Sequence, residues 1–149
     1  MNRSRELALL SLKNRVKDAK TLVICDTYIL TIREGDDPED YVRQLREVLP
    51  ESLSKLVLVH SQKKENPLMR EVIIHTFPNS LPVHTFTCSS IHDRVWIVDN
   101  KSAFVTGTSF NSIGYRLSFI YDLNRDDFKD FWHFLVAELG DEFKRVLFL

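Results

Sequence analysis

Apolar residues fall into two rhythms along this chain. Thr21-Leu22-Val23-Ile24-Cys25 and Leu56-Val57-Leu58-Val59 are short apolar runs, the pattern of strands covered on both faces. Between them Tyr41, Val42, Leu45, Val48 and Leu49 recur at helical spacing, with Asp37 as cap, Pro38 at the first helical position and Pro50 as stop. An earlier helix is predicted over Ser4–Lys20, capped by Ser4. Leu7, Leu10 and Val16, with Leu12 or Leu9 beside them, turn inward there; Arg3, Arg5, Lys13, Arg15, Lys17 and Lys20 form a basic outer face. After a polar loop over Ser61–Asn66, Pro67–Phe77 reads as a helix burying Leu68, Val72, Ile73 and Phe77. Val83–Cys88 then reads as a strand with His84, Phe86 and Cys88 on one face. Leu117–Tyr121 reads as a last strand. Asp126–Leu139 is an amphipathic helix carrying Phe128, Phe131, Trp132 and Phe134.

The stretch from Ile91 to Gly114 is different in kind. Over Ile91–Asp99 the side chains alternate, Val95 and Ile97 facing one way and Arg94, Trp96 and Val98 the other. Asp99-Asn100-Lys101 supplies a turn, Ala103-Phe104-Val105 rebuilds a strand, and Gly107 ends it. His92 and Arg94 are two apart and share a face. Thr108, Ser109 and Asn111 follow on the returning segment, where their hydroxyls and amide can point back toward the histidine.

Alternating helices and strands followed by a hairpin predict an α/β fold, a mixed β-sheet sandwiched between helices. With 149 residues, 44% of them hydrophobic, the chain can bury one core, so residues 1–149 read as a single domain. Twenty basic residues against twenty-one acidic leave a formal charge of −1. No global field therefore draws the chain to nucleic acid or to an anionic membrane, and any phosphate binding has to be local. Cys25 and Cys88 lie far apart in apolar runs and read as buried free thiols of a reducing compartment. The charged start Met-Asn-Arg-Ser-Arg-Glu lacks a signal-peptide core and no apolar run reaches transmembrane length, so the expected location is cytoplasmic.

His92-x-Arg94-x4-Asp99 followed by Gly107-Thr108-x-x-Asn111 resembles the paired segments of the phospholipase D superfamily, H-x-K-x4-D and G-S-x-x-N. The resemblance implies that His92 is the nucleophile that attacks phosphorus and forms a phosphohistidine. It implies that Arg94, at the lysine position, and Asn111 hold the phosphate oxygens, and that Asp99 supports the site. Thr108 stands at the serine position, with Ser109 beside it. Arginine keeps the positive charge and grips phosphate bidentately, but it is larger and planar, so phosphate binding fits this departure better than turnover does. In the same family the first strand often ends in Asp-Pro-Tyr beside the active site; here Asp26-Thr27-Tyr28 follows the first strand. Asp26 or Tyr28 lines the pocket, or Asp26 simply caps the loop.

Two functions follow. In one, the chain is a phospholipase D-like phosphodiesterase, of nuclease or phospholipase type, needing no metal and no cofactor. That reaction needs a second histidine to protonate the leaving group, and the single motif then implies a homodimer with two His92 side chains face to face. In the other, the same pocket binds a phosphate-containing ligand without turnover, in a regulatory or interaction role. A nucleic acid is preferred to a membrane lipid headgroup as ligand. His60, His75 and His133 read as structural, while His84 lies on a strand close to the hairpin. No spacing resembles a zinc or calcium site, a serine elbow or a glycine-rich phosphate loop.

Overall fold

Each strand of the sheet carries two sets of side chains, and the sets define two separate cores. A computed structural model describes residues 3–61 and 65–148. In chain order these form α1 (Arg3–Arg15), β1 (Thr21–Cys25), α2 (Pro38–Val48), β2 (Lys55–His60), α3 (Met69–Thr76), β3 (Val83–Thr87), β4 (Arg94–Val98), β5 (Ser102–Thr106), β6 (Ile120–Asp122) and α4 (Arg125–Phe148). The six strands make one mixed sheet in the order β3-β2-β1-β4-β5-β6, so β3 with His84 lies at the far edge, with β2 and β1 between it and the hairpin rather than close to it as expected. The first three are parallel, joined by α2 and α3; β4 and β5 then pair antiparallel on the other side of β1. Leu22 and Ile24 of β1, Leu56 and Leu58 of β2, and Trp96 and Phe104 of the hairpin face α1, α2 and α3. Their neighbours Val23, Cys25, Val57, Val59, Val95, Ile97 and Val105 face Leu135, Phe143 and Leu147 of α4. The result is helices, sheet, helix, as the alternation of elements predicts.

Residues 62–64 of the expected polar loop lie outside the described residues, as do Met1 and Asn2 of the N-terminal segment. Several expected inward positions are corrected. Leu7 and Leu10 of α1 are each 54% exposed, and the buried stripe runs through Arg5, Leu9, Leu12 and Val16 instead. That stripe keeps the helical period but is rotated, because a buried partner for Arg5 exists elsewhere in the fold. Leu68 is exposed and Met69 takes its place at the start of α3. The expected strand over 117–121 is shortened to β6, leaving Leu117 and Phe119 in solvent. The last helix runs on to Phe148, with a break at Gly140 (φ 76°). Both cysteines are free, Cys25 buried and Cys88 half-buried; burial pushes the Cys25 thiol well above its usual range. Among the described residues no helix is long and apolar enough to cross a membrane.

Candidate functional site

The parallel strands β1 and β2 end at the same edge of the sheet where β4 begins and β5 ends. This edge is also where strand order reverses about β1, the position at which open α/β sheets gather ligand-binding loops. Three loops meet there: 26–31 after β1, 91–93 before β4, and 107–114 after β5. Polar side chains tie them together. The buried Asp26 carboxylate accepts bonds from Ser109 Oγ (3.0 Å), the Phe110 amide (2.8 Å) and the Tyr28 amide (3.0 Å). Thr27 Oγ1 donates to the Ile91 carbonyl (3.1 Å), fixing the segment that carries His92. Asn111 Nδ2 donates to the Thr31 carbonyl (2.9 Å) and, more loosely, to that of Tyr28 (3.3 Å). Burial pushes the Asp26 carboxyl above the ordinary carboxylate range, against its three donors and the nearby positive charge of Arg94.

Between these loops lies a cavity of about 300 Å³ lined by Tyr28, Arg94, Thr108, Ser109, Asn111 and Arg116, among others. Among the described residues its lining holds two arginines and no carboxylate. Arg94 is the first residue of β4, paired with Thr106, the last of β5. Its guanidinium carbon lies 5.9 Å from the centre of the Tyr28 ring. Arg94 Nε and Thr108 Oγ1 are both shielded from solvent and have no hydrogen-bond partner among the described residues. Both residues line the cavity, and a polar atom buried without a partner is costly.

Not every sequence candidate gathers here. His92 lies just before β4 rather than within it, is exposed, and is not among the cavity's lining residues. Asp99 sits at the opposite end of β4, about 15 Å away for a strand of that length. It is a corner brace. Its carboxylate accepts the amides of Lys20 (2.7 Å) and Thr21 (2.9 Å), and with Asn100 it forms the positive-φ turn (54° and 56°) that closes the hairpin. Asn111 lines the cavity, but its amide donors are engaged by backbone carbonyls and its Oδ1 accepts from Ser112 Oγ (2.8 Å). Its geometry is that of a cross-tie between two loops. Asp26 stands behind the cavity wall, holding Ser109 and Phe110, while Tyr28 lines it directly. His60 is buried with Nε2 unpaired among the described residues, and burial lowers its pKa. It does not line the cavity.

One residue that shapes the site has no counterpart among the sequence candidates. Arg5 is 1% exposed and donates through Nη1 to the carbonyls of Phe110 and Ile113 (2.8 Å to the latter). Its guanidinium also lies 4.8 Å from the Phe110 ring centre and 5.2 Å from that of Tyr115. Phe110 is packed in turn against Tyr41 and Trp96. Arg5 falls at i−4 and i−7 from Leu9 and Leu12, so helical periodicity places it on the buried stripe. Gly114 makes this contact possible. At φ 87° it is in the left-handed region, and a Cβ there would stand 2.5 Å from Arg5 Cα. Gly114→Ala is therefore expected to cost about 2–4 kcal/mol in urea denaturation through strain and overlap together. A variant as stable as wild type would show that this loop is not packed on α1 in solution.

Comparison with solved structures places the architecture. NucT from Helicobacter pylori superposes with a TM-score of 0.59 at 11% identity, over 93% of this chain and 91% of NucT. The fold is phospholipase D-like. A mutant of yeast tyrosyl-DNA phosphodiesterase 1 is matched more weakly, with a TM-score of 0.43 at 13% identity over 76% of this chain and 27% of the other. No family model and no curated protein matches the sequence. In this phospholipase D-like fold the three site loops stand at one edge of the sheet, with Arg94 in the cavity and His92 at the same edge.

Proposed function

We propose that the chain is a phosphodiesterase of phospholipase D type that works as a homodimer through His92. The observation that carries the reading is the cavity at Arg94. Arg94 and Thr108 line a carboxylate-free space with room for a phosphate group, and Arg94 Nε and Thr108 Oγ1 have no hydrogen-bond partner among the described residues. The architecture shared with NucT supports the same class of reaction. In this reading a neutral ring nitrogen of His92 attacks phosphorus and a P–N bond forms as one ester oxygen leaves. The leaving oxygen takes a proton from His92 of the partner subunit. That histidine then deprotonates a water, which attacks phosphorus; the P–N bond breaks, releasing a phosphate monoester and restoring both rings. Arg94 neutralises charge on the non-bridging oxygens throughout.

A second reading has specific support. The engaged amide of Asn111 and an arginine where the family has lysine both favour a phosphate-binding domain without turnover. Hydrolysis of bis-p-nitrophenyl phosphate separates the two. The enzyme reading expects cleavage that persists in EDTA, since Arg94 takes the charge-neutralising role, and a dimer in sedimentation at micromolar concentration. Cleavage lost in EDTA and restored by magnesium would place the chemistry elsewhere, and a strictly monomeric chain would remove the two-histidine mechanism.

A further inference from the structure

The Arg94 cavity has a larger neighbour. Arg116 also lines a groove of about 640 Å³ between α1 and residues 113–120. Ser4, Ala8 and Ser11 of α1 line one side, and the other carries Leu117, 91% exposed, and Phe119, 71% exposed. The Gly107 amide, in the wall of the cavity, donates to the carbonyl of Phe119 in the wall of the groove (2.8 Å), which holds the two side by side. Arg15 and Arg116 also line the groove, Arg15 paired at its rim with Asp122 (2.5 Å). Among the described residues no aspartate or glutamate lines either space, although the chain as a whole carries a net charge of −1.

From this we infer that the groove binds a single-stranded polynucleotide leading toward the Arg94 cavity, with a base stacked on Phe119 and Leu117 packed beside it. The inference rests on the phosphodiester reading of the Arg94 cavity and names its substrate class. Arg94 in the cavity and Arg116 in the wall of both spaces suit a chain with successive phosphates, whereas a phospholipid offers one charged group and then only acyl chains. An exposed aromatic ring such as Phe119 beside such cations is what an unstacked base needs, with the apolar Leu117 next to it, and the paired bases of a duplex do not present their faces.

The test is fluorescence anisotropy with an end-labelled oligothymidylate, run in the His92→Ala background so that cleavage does not intrude. Phe119→Ala is expected to weaken binding about tenfold. Arg116→Ala is expected to lower the slope of log affinity against log salt by about 0.7. A duplex of the same length should bind more weakly. Binding weakened by Arg94→Ala but indifferent to Phe119→Ala and Arg116→Ala would overturn the groove and leave the cavity reading intact. No oligothymidylate binding, with Phe119-dependent flotation on phosphatidic acid vesicles, would overturn it in favour of a lipid. Dissociation of a dimer by Phe119→Ala would make the groove a subunit interface instead. Failure to bind either probe also overturns it, while cleavage of bis-p-nitrophenyl phosphate separately judges the cavity.

Discussion

Asp26→Ala is expected to destabilise the protein by about 3 kcal/mol and to loosen the loop after β5. The carboxylate is the common acceptor for the Ser109 hydroxyl and the Phe110 and Tyr28 amides. Removing it strands three donors, and a buried donor left unpaired costs about 1–3 kcal/mol. Relief from burying an acid offsets part of that loss, because desolvation already pushes the Asp26 carboxyl up. Asp26→Asn should do less harm. Its oxygen can serve Ser109 and Phe110, but its amide then confronts the Tyr28 amide, donor against donor. The pair of variants also carries a pH signature. A carboxyl whose folded pKa is raised holds its proton more tightly in the native state, so its contribution is full below about pH 4 and is lost as pH rises through the folded value. The stability of Asp26→Asn relative to wild type should therefore improve as pH rises above about 4. Urea denaturation across that range checks it; a flat difference would mean that Asp26 is no more perturbed in the fold than in the unfolded chain.

Asp26 also shows where sequence reading succeeds and where it stops. The strand it follows is legible because Leu22-Val23-Ile24-Cys25 is apolar on both faces, and the sheet covers both. The hairpin is legible because its alternation separates Val95 and Ile97 from Trp96 and Val98, and Asp99-Asn100 tolerate positive φ. Partners are another matter. Whether Asp26 lines a pocket or braces a loop depends on Ser109 and Phe110, more than eighty residues away. Arg5 looks like one of six basic residues on a solvated helix face, and only the carbonyls of Phe110 and Ile113 make its burial tolerable. The Asn111 amide is engaged by backbone carbonyls that no spacing reveals. The place of Asp99, by contrast, follows from spacing alone. His92 and Asp99 are seven residues apart along an extended segment, a span of about 20 Å at the rise of a strand, too far for both to line one pocket.

His92→Ala is expected to lower phosphodiester cleavage on the order of a thousandfold or more while largely sparing ligand affinity. A nucleophile contributes along the reaction path rather than to the ground state. His92 is exposed and lies outside the cavity lining, so its loss should also leave stability nearly unchanged. Arg94→Ala should behave in the opposite way, weakening phosphate or oligonucleotide binding by about 1.5–3 kcal/mol whether or not the chain turns over, because its charge meets the ligand in both states. Arg94→Lys separates the readings. Lysine restores the family pattern but is a point charge, unable to reproduce a planar two-pronged grip on phosphate. If the site is catalytic, cleavage should be kept or raised with some loss of affinity. In a binding domain, only the loss of affinity would be seen. Kinetics on bis-p-nitrophenyl phosphate and on single-stranded DNA, with phosphate binding followed in parallel, give both quantities. Phosphate bound at Arg94 with no cleavage by wild type or Arg94→Lys would retire His92 as a nucleophile and leave the cavity as a binding site.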